Sequence, residues 1–218
     1  MSRTPCPLLA RGVTLRPRCD QCAANGGTDG TRRAPGEVLS RQGDPAVAVW
    51  ALTEGLVRVA VTTADGRAYA ARLVRRGALL GLEALADHPV PHQATATVVR
   101  TARLCAVPVA VVRDWLGRHP AAATAVATVA VEELIEVQRR LVSHTSLSAE
   151  ERVLELVREL VRDAAPGAWT ELPGTREQLG EMVGLAFETV SRMLHRLAAR
   201  GLIELDGRRI RAKDSTRA

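Results

Sequence analysis

The feature that most constrains the fold of this chain of 218 residues is a pattern close to its C-terminus. Thr175 can cap a short helix over residues 176–183, and Gly184 suits the tight turn that would follow it. A second helix is expected over residues 187–199, ended by Gly201. Two strand-like runs joined by an Asp-Gly turn come next. A helix, a turn, a helix and a two-stranded wing together predict a winged helix-turn-helix domain.

Three polar residues share one face near the start of the second predicted helix. Glu188, Ser191 and Arg192 stand at positions i, i+3 and i+4, at the end of the helix that such motifs insert into the major groove. Arg192 can pair with guanine O6 and N7, and Glu188 can accept from cytosine N4 or adenine N6. We therefore predict that these three residues read DNA bases. Contacts to DNA phosphates are predicted for Thr175, Thr189, Arg196, Arg208 and Arg209.

The distribution of charge also favours a nucleic-acid partner. The formal net charge is +6, and residues 186–218 carry eight basic and four acidic residues. Residues 150–185 reverse this balance, with four basic and eight acidic residues. A basic segment beside an acidic one is typical of a surface that faces a polyanion. The alternative for the charge is a solvated tail, and the alternative for the predicted domain is a helical bundle with a solvated charged face.

Short alternating runs between residues 36 and 108 predict several antiparallel strands. Apolar residues step by two in runs such as 47–51 and 57–61, and Asp65–Gly66 is a hairpin signal between two such runs. Glu54–Gly55 is interpreted as a further turn. Strands at this spacing favour a small antiparallel barrel or roll.

A helical pattern replaces the strand pattern from about residue 120. Apolar residues there step by four, four, three and four, which resembles a coiled-coil seam and predicts a homodimer interface. The alternative is a helix that packs on its own domain. The next helix should begin after Ser148, because Glu151 stands at capping-box spacing from it. The residues of the predicted dimer seam are Val126, Ala130, Leu134, Val137 and Leu141.

These patterns predict an α+β protein with four segments. Hydrophobic residues form 46% of the chain, which is enough apolar material for cores and excludes a wholly disordered chain. No run is long enough to span a membrane or to form a signal-peptide core, so we expect a cytoplasmic protein without membrane contact. The predicted segments are a cysteine-bearing N-terminal segment (1–35), a β-roll (36–118), a dimerisation helix (119–147) and the winged helix-turn-helix domain (148–218).

Four cysteines form the second candidate site. Thiols stay reduced in the cytoplasm, so Cys6, Cys19, Cys22 and Cys105 favour a metal, redox chemistry or burial over a disulfide framework. The two-residue gap between Cys19 and Cys22 can place two thiolates on one metal. Four cysteines can complete a zinc site or hold an iron–sulfur cluster. Scattered free thiols, with Cys105 in the core, are the alternative.

The sequence Glu188-Thr-Val-Ser-Arg-Met-Leu194 resembles the recognition helix of the Crp–Fnr superfamily of transcription regulators, and its Glu-x-x-Ser-Arg pattern resembles the oxygen-responsive Fnr branch. Three other stretches are similar to segments of the same family: 36–44, 77–83 and 149–152. The resemblance implies a cupin-like β-roll of the cyclic-nucleotide-binding type and a homodimer that binds a palindromic operator similar to TTGAT. It also implies RNA polymerase as a partner.

The resemblance extends to the cysteines in part. Cys19, Cys22 and Cys105 match cluster positions of the Fnr branch, whereas Cys6 precedes the pair by thirteen residues and departs from the family's spacing. Cys6 is expected to be the fourth ligand because the chain has no other cysteine. The resemblance thus implies a 4Fe–4S cluster that responds to oxygen, nitric oxide or redox state. A structural zinc ion is the alternative.

The predicted β-roll departs from the family's nucleotide-binding members. Those members carry an Arg-Ser pair after the pocket glycines, whereas residues 88–95 here contain no arginine, which argues against cyclic AMP. His88 and His92 lie in this Pro-rich stretch and are interpreted as exposed polar residues. A further departure is Ala186, where the family has a Ser or Thr that caps the recognition helix.

The sequence lacks the short motifs of common enzyme classes, so no enzymatic activity is expected. Two alternatives to an iron–sulfur regulator remain. One is a Crp–Fnr regulator without a cluster, which would respond to a small ligand or thiol redox state or be stabilised by zinc. The other is a dithiol oxidoreductase or a zinc-stapled protein-interaction module.

Overall fold

The structure is a computed structural model that describes residues 30–162 and 164–213, without the side chains of residues 70 and 71. The predicted ligands Cys6, Cys19 and Cys22 lie outside the described residues. The chain divides into two compact units, and the division falls between Glu136 and Val137. Each unit is described in turn.

The first unit is built on an antiparallel sheet. The central strands β3 and β6 pair along most of their length, with β1 and β2 on β6 and with β4 and β5 on β3. This arrangement confirms the predicted antiparallel roll. Its strands are β1 (Thr31–Arg33), β2 (Val38–Ser40), β3 (Ala48–Thr62), β4 (Ala68–Arg75), β5 (Leu79–Leu80) and β6 (Thr95–Pro108).

The hairpin at Asp65–Gly66 is confirmed, whereas the predicted turn at Glu54–Gly55 is wrong. Gly55 lies inside β3, where the pairing with β6 shifts register on both sides of Glu54. It has a φ of +96°, and a Cβ there would lie 2.3 Å from the Thr101 carbonyl oxygen. The glycine therefore marks a β-bulge with a close backbone approach instead of a chain reversal.

Two other expectations need correction. The end of the segment interpreted as a loop (1–35) forms β1, which pairs with β6. A helix over Val109–Arg118 was not predicted, and it follows β6 directly. Val112 of this helix packs in an apolar cluster with strand residues. Packing against the sheet therefore stabilises the helix.

Five α-helices lie in the described part of the chain. None of these helices is long and apolar enough to cross a membrane. A short 3-10 helix (Leu82–Leu85) precedes them. They are α1 (Val109–Arg118), α2 (Pro120–Ser146), α3 (Ala149–Val161), α4 (Arg176–Val183) and α5 (Phe187–Ala199).

Helix α2 has one face that packs inward and one that is apolar and exposed. Val126, a member of the predicted dimer seam, is half-buried and packs partly against the apolar cluster of the first unit, and the seam stays a prediction. Leu134 and Leu141 are 56% and 66% exposed, and Val137 is 45% exposed. Ala130 is exposed as well.

The second unit contains the predicted winged helix-turn-helix. Capping boxes open two of its helices, at Ser148 with Glu151 and at Thr175 with Gln178. Gly184 ends α4 in the left-handed conformation. Helices α4 and α5 are followed by the paired strands β8 and β9, which confirms the two-stranded wing. The strand β7, which precedes α4, completes a three-stranded sheet in the order β7-β9-β8. Its strands are β7 (Thr170–Glu171), β8 (Ile203–Asp206) and β9 (Arg209–Ala212).

The turn between α4 and α5 depends on a glycine inside α4. A Cβ on Gly180 would lie 2.4 Å from the Leu185 carbonyl oxygen, and the Leu185 N–H donates to the Gly180 carbonyl oxygen at 3.0 Å. The chain after α4 thus lies directly against this glycine. Glycine costs about 1 kcal/mol relative to alanine inside a helix, so its presence reflects this contact.

Replacing Gly180 by alanine should destabilise the second unit by about 1–3 kcal/mol, because the new methyl group must displace backbone atoms. Gly117→Ala is the matched control, since Gly117 is also helical and a Cβ there meets no atom within 4 Å. Urea unfolding followed by circular dichroism measures both. Equal midpoints for the two variants would contradict this account of the turn.

Candidate nucleic-acid interface

Helix α5 presents the three predicted base-reading residues on its outer side. Val190, Leu194 and Leu197 are buried and fix the opposite side of the helix against the second unit. Glu188 and Arg192 are consequently exposed, and Ser191 is half-buried. The structure therefore brings together the three side chains that the i, i+3 and i+4 spacing predicted to share a face.

The start of α5 carries no side-chain cap. Ala186 occupies the cap position and makes no side-chain hydrogen bond, which agrees with the departure noted in the sequence. The neighbouring Phe187 is 44% exposed. The first backbone N–H groups of the helix are thus left for solvent or an anionic ligand.

Arg192 contacts a neutral neighbour on its own helix. Its Nη2 donates to the Thr189 hydroxyl oxygen at 3.2 Å. Thr189, one of the predicted phosphate-contacting residues, is half-buried one turn before Arg192. The pair lies on the edge of the face that carries Glu188.

Arg196 of α5 and Arg200, the residue that follows this helix, contact a carboxylate. Arg196 lies 3.5 Å from Glu150, and Arg200 also pairs with Glu150. Glu150 stands in the first turn of α3, where a negative charge is favoured by the helix dipole. Arg196 was predicted to contact phosphate, and the structure gives it an exposed ion pair that a phosphate can replace at small cost.

The wing arginines are also held by neighbours. Arg208 donates to the Gly174 carbonyl oxygen at 2.6 Å, and Arg209 pairs with Asp206 across the turn. Arg209 and Arg211 both lie over the ring of Trp169, with centroid distances of 5.5 and 4.7 Å. Trp169 thereby braces the outer face of the wing.

Two carboxylates near this surface have a lowered pKa. A hydrogen bond from Arg211 lowers the pKa of Glu204. A hydrogen bond with Thr175 lowers the pKa of Glu177. The Thr175 hydroxyl also accepts from the Gln178 N–H at 3.3 Å. Thr175, predicted to contact phosphate, is thus engaged in capping α4, and an acidic residue stands beside it.

Sequence reasoning missed three residues that shape this surface. Glu150 binds two arginines at the C-terminal end of α5, and Trp169, which precedes β7, contacts two arginines of β9. Neither relation follows from spacing in the sequence. Gly180 was detectable, since a glycine in the interior of a predicted helix usually has a packing reason.

The first unit contains a pair of polar residues in the stretch that distinguishes nucleotide binders. His92 Nδ1 lies 2.6 Å from a Glu83 carboxylate oxygen. His92 is 6% exposed, so its interpretation as an exposed residue is wrong, whereas His88 is exposed as expected. Burial of an imidazole is tolerated here because the carboxylate satisfies one ring nitrogen.

A second ion pair connects the sheet to α2 within the first unit. Arg72 Nη1 lies 2.6 Å from Glu133, and both side chains are about one-fifth exposed, at 19% and 22%. Burial raises the pKa of the Glu133 carboxyl, and the Arg72 guanidinium opposes this effect. The charge of Glu83 also raises the pKa of Glu133, so the two pairs are electrostatic neighbours.

Cys105 lies on β6 and is 4% exposed. It belongs to an apolar cluster that includes Val107 of the same strand, Val112 of α1 and Val129 of α2. The start of the described chain lies against the same position, because a Cβ on Gly30 would be 2.9 Å from the Cys105 backbone nitrogen. Gly30 therefore lies against the backbone of β6 at Leu104 and Cys105.

Among residues 30–162 and 164–213, no group of three or more His, Cys, Asp or Glu residues is arranged to hold a metal ion. Cys105 is the one predicted cysteine ligand that these ranges contain. The ligand roles of all four cysteines, Cys105 included, stay predictions.

Comparison with protein families identifies two domains. Residues 31–119 match the cyclic nucleotide-binding domain, and residues 151–217 match the Crp-like helix-turn-helix domain. Together these matches include the whole sheet of the first unit and all of the interface residues described above except Glu150.

Several bacterial regulators are similar in sequence. The anaerobic regulatory protein of Pasteurella multocida is 25% identical over 82% of this chain and 66% of its own length. The transcriptional activator protein FnrA of Stutzerimonas stutzeri is 28% identical over 83% of this chain and 75% of its own length. The chain thus spans about two thirds to three quarters of the length of these two relatives.

Solved structures share the fold. FixK2 from Bradyrhizobium japonicum superposes with a TM-score of 0.76 at 24% identity, covering 86% of this chain and 93% of that protein. The c-di-GMP responsive regulator CLP of Xanthomonas campestris gives a TM-score of 0.71 at 19% identity, covering 84% of this chain and 92% of that protein.

Proposed function

The chain belongs to the Crp–Fnr superfamily of transcription regulators, and we propose that it binds a palindromic DNA operator as a homodimer. The observation that carries the proposal is the exposed face of α5, where Glu188, Ser191 and Arg192 lie together. A helix that follows a tight turn and precedes a wing is the element that such domains place in the major groove.

Each residue of this face has a distinct role in the proposal. Arg192 pairs with guanine O6 and N7, Glu188 accepts from an exocyclic amino group, and Ser191 contacts a base edge. By resemblance, the half-site is similar to TTGAT, with Arg192 on its guanine. The phosphate contacts come from the flanking residues Thr175, Thr189, Arg196, Arg208 and Arg209.

The exposed side of α2 supplies the dimer contact in this proposal. Val131, Leu134 and Leu141 are more than half exposed, at 55%, 56% and 66%, and they share one stripe of the helix. Apolar stripes of this kind pack against a second helix. Two protomers related by a two-fold axis would place their α5 helices about 34 Å apart, one DNA turn. RNA polymerase is the further protein partner that we propose.

Binding-site selection from a random duplex pool, followed by titration at 50–200 mM salt, tests this function. We expect an inverted repeat to be recovered, and affinity to fall by about 10³–10⁵ over that salt range because many phosphates are neutralised. Arg192→Gln should relax base preference at one position, whereas Arg209→Gln should weaken all duplexes alike. Recovery of unrelated sequences with equal affinity would contradict the proposal.

We further propose that Cys6, Cys19, Cys22 and Cys105 hold an iron–sulfur cluster of the 4Fe–4S type. The position of Cys105 supports the proposal, because its backbone nitrogen lies close to Gly30, the residue on β1's N-terminal side. Cys22 precedes Gly30 by eight residues, a span of at most about 28 Å. When bound, such a cluster supplies reactivity towards oxygen and nitric oxide.

The surroundings of Cys105 support a link from this site to the rest of the unit. Its neighbours Val112 and Val129 belong to α1 and α2, so a change at the thiol alters the packing of both helices. Cyclic AMP is not the proposed effector. The Glu83 carboxylate is hydrogen-bonded to His92, and no arginine lies in residues 88–95.

Protein purified without oxygen tests the cysteine proposal. We expect a broad absorption band near 400 nm, with iron and sulfide in the protein, and Cys105→Ala should abolish it. Val107→Ala is the matched control, because Val107 lies in the same apolar cluster and carries no thiol. That variant should keep the band. A colourless wild-type protein with stoichiometric zinc after cluster reconstitution would contradict the iron–sulfur site and support a structural metal.

A further inference from the structure

We propose that Thr189 is a positioning residue that orients Arg192 for base reading. The inference rests on the proposed DNA-binding function and adds a specificity role to a residue otherwise expected only to contact phosphate. It starts from the hydrogen bond that Arg192 Nη2 donates to the Thr189 hydroxyl oxygen at 3.2 Å.

The partner of Arg192 differs in charge from the partners of nearby arginines. Arg196 and Arg200 pair with the Glu150 carboxylate. A carboxylate opposes the positive charge of the guanidinium that it pairs with, and so weakens the attraction of that guanidinium for DNA. The hydroxyl of Thr189 is neutral, so it orients the guanidinium of Arg192 and leaves its full positive charge for the base.

The number of donors on Arg192 permits both contacts at once. A guanidinium carries five N–H groups, and bidentate recognition of guanine uses two of them. One further N–H bound to Thr189 therefore leaves enough donors for the base. The contact is compatible with reading and does not compete with it.

Thr189 is suited to hold its neighbour in place. It lies three residues before Arg192, so the two side chains are adjacent on the helix surface. A β-branched side chain has restricted χ1, and Thr189 is half-buried. An arginine side chain carries about 2 kcal/mol of rotamer entropy. Fixing one of its nitrogens in advance reduces the entropy that the side chain loses when DNA binds.

The Thr189 hydroxyl can also link base reading to a contact with the DNA backbone. A hydroxyl group has one donor and two acceptor sites. The oxygen accepts from Arg192, which leaves the hydroxyl proton for a phosphate oxygen. A correctly placed phosphate would then hold Thr189, and Thr189 would hold Arg192.

Thr189→Val tests the inference because valine has nearly the same shape and lacks the hydroxyl. Affinity is measured by fluorescence anisotropy for two duplexes at one salt concentration. One carries two inverted TTGAT half-sites, or the palindrome recovered by selection, and the other has each half-site guanine changed to adenine. Wild-type protein should prefer the first by about 10-fold or more, as expected for a bidentate guanine contact.

We expect Thr189→Val to reduce this preference by about 3- to 10-fold, while Thr189→Ser, which keeps the hydroxyl, retains it within about 2-fold. In an Arg192→Lys background, Thr189→Val should leave the remaining preference unchanged, because lysine lacks the planar fork. Circular dichroism melting verifies that each variant is folded.

Two results would overturn the inference, and they are distinguishable. If Thr189→Val weakens both duplexes equally and keeps the wild-type preference, Thr189 is only a phosphate contact. If the wild-type protein has no preference for any selected duplex, the proposed function itself fails, and the positioning role fails with it.

Discussion

The close contact between Gly180 and the Leu185 carbonyl is the constraint on which the DNA-facing surface depends. It sets the path of the chain between α4 and α5, and the buried residues Val190, Leu194 and Leu197 then fix how α5 is rotated. That rotation exposes Glu188 and Arg192 together. A side chain at position 180 would change the turn first and the reading face as a consequence.

The arginines around this face have different partners in the structure without DNA. Glu150 and Asp206 already hold Arg196, Arg200 and Arg209 in exposed ion pairs, which are weak in water and easily exchanged. Arg192 has a hydroxyl partner instead. The arrangement separates arginines that are paired with a carboxylate from one whose partner is a neutral hydroxyl group.

Local signals in the sequence predicted the second unit well, because caps and turn residues act over a few residues. The capping box at Ser148, the helix cap at Thr175 and the turn at Gly184 are where the sequence indicated. Long-range contacts could not be read in the same way. From the sequence alone Gly55 indicates a turn, because the close approach of β6 that explains this glycine is a long-range contact. The burial of His92 likewise depends on Glu83, nine residues away.

The same limit explains the predicted dimer seam. Helical spacing alone grouped Val126 with Leu134, but Val126 packs partly against the apolar cluster of the first unit. Spacing identifies a stripe of apolar residues along the helix, and packing against the sheet determines which of these residues remain exposed. For the cysteines, the sequence supplied the candidate ligands, and the described structure adds the approach of Gly30 to Cys105.

The central claim is that one chain couples a cysteine-bound sensor to DNA affinity. The most direct test measures operator affinity of anaerobically purified protein before and during admission of air, while the absorbance near 400 nm is followed in the same sample. The account predicts that affinity changes by about 10-fold or more, within the usual range of allosteric coupling, in step with loss of the band. Bleaching that leaves operator affinity unchanged would contradict it.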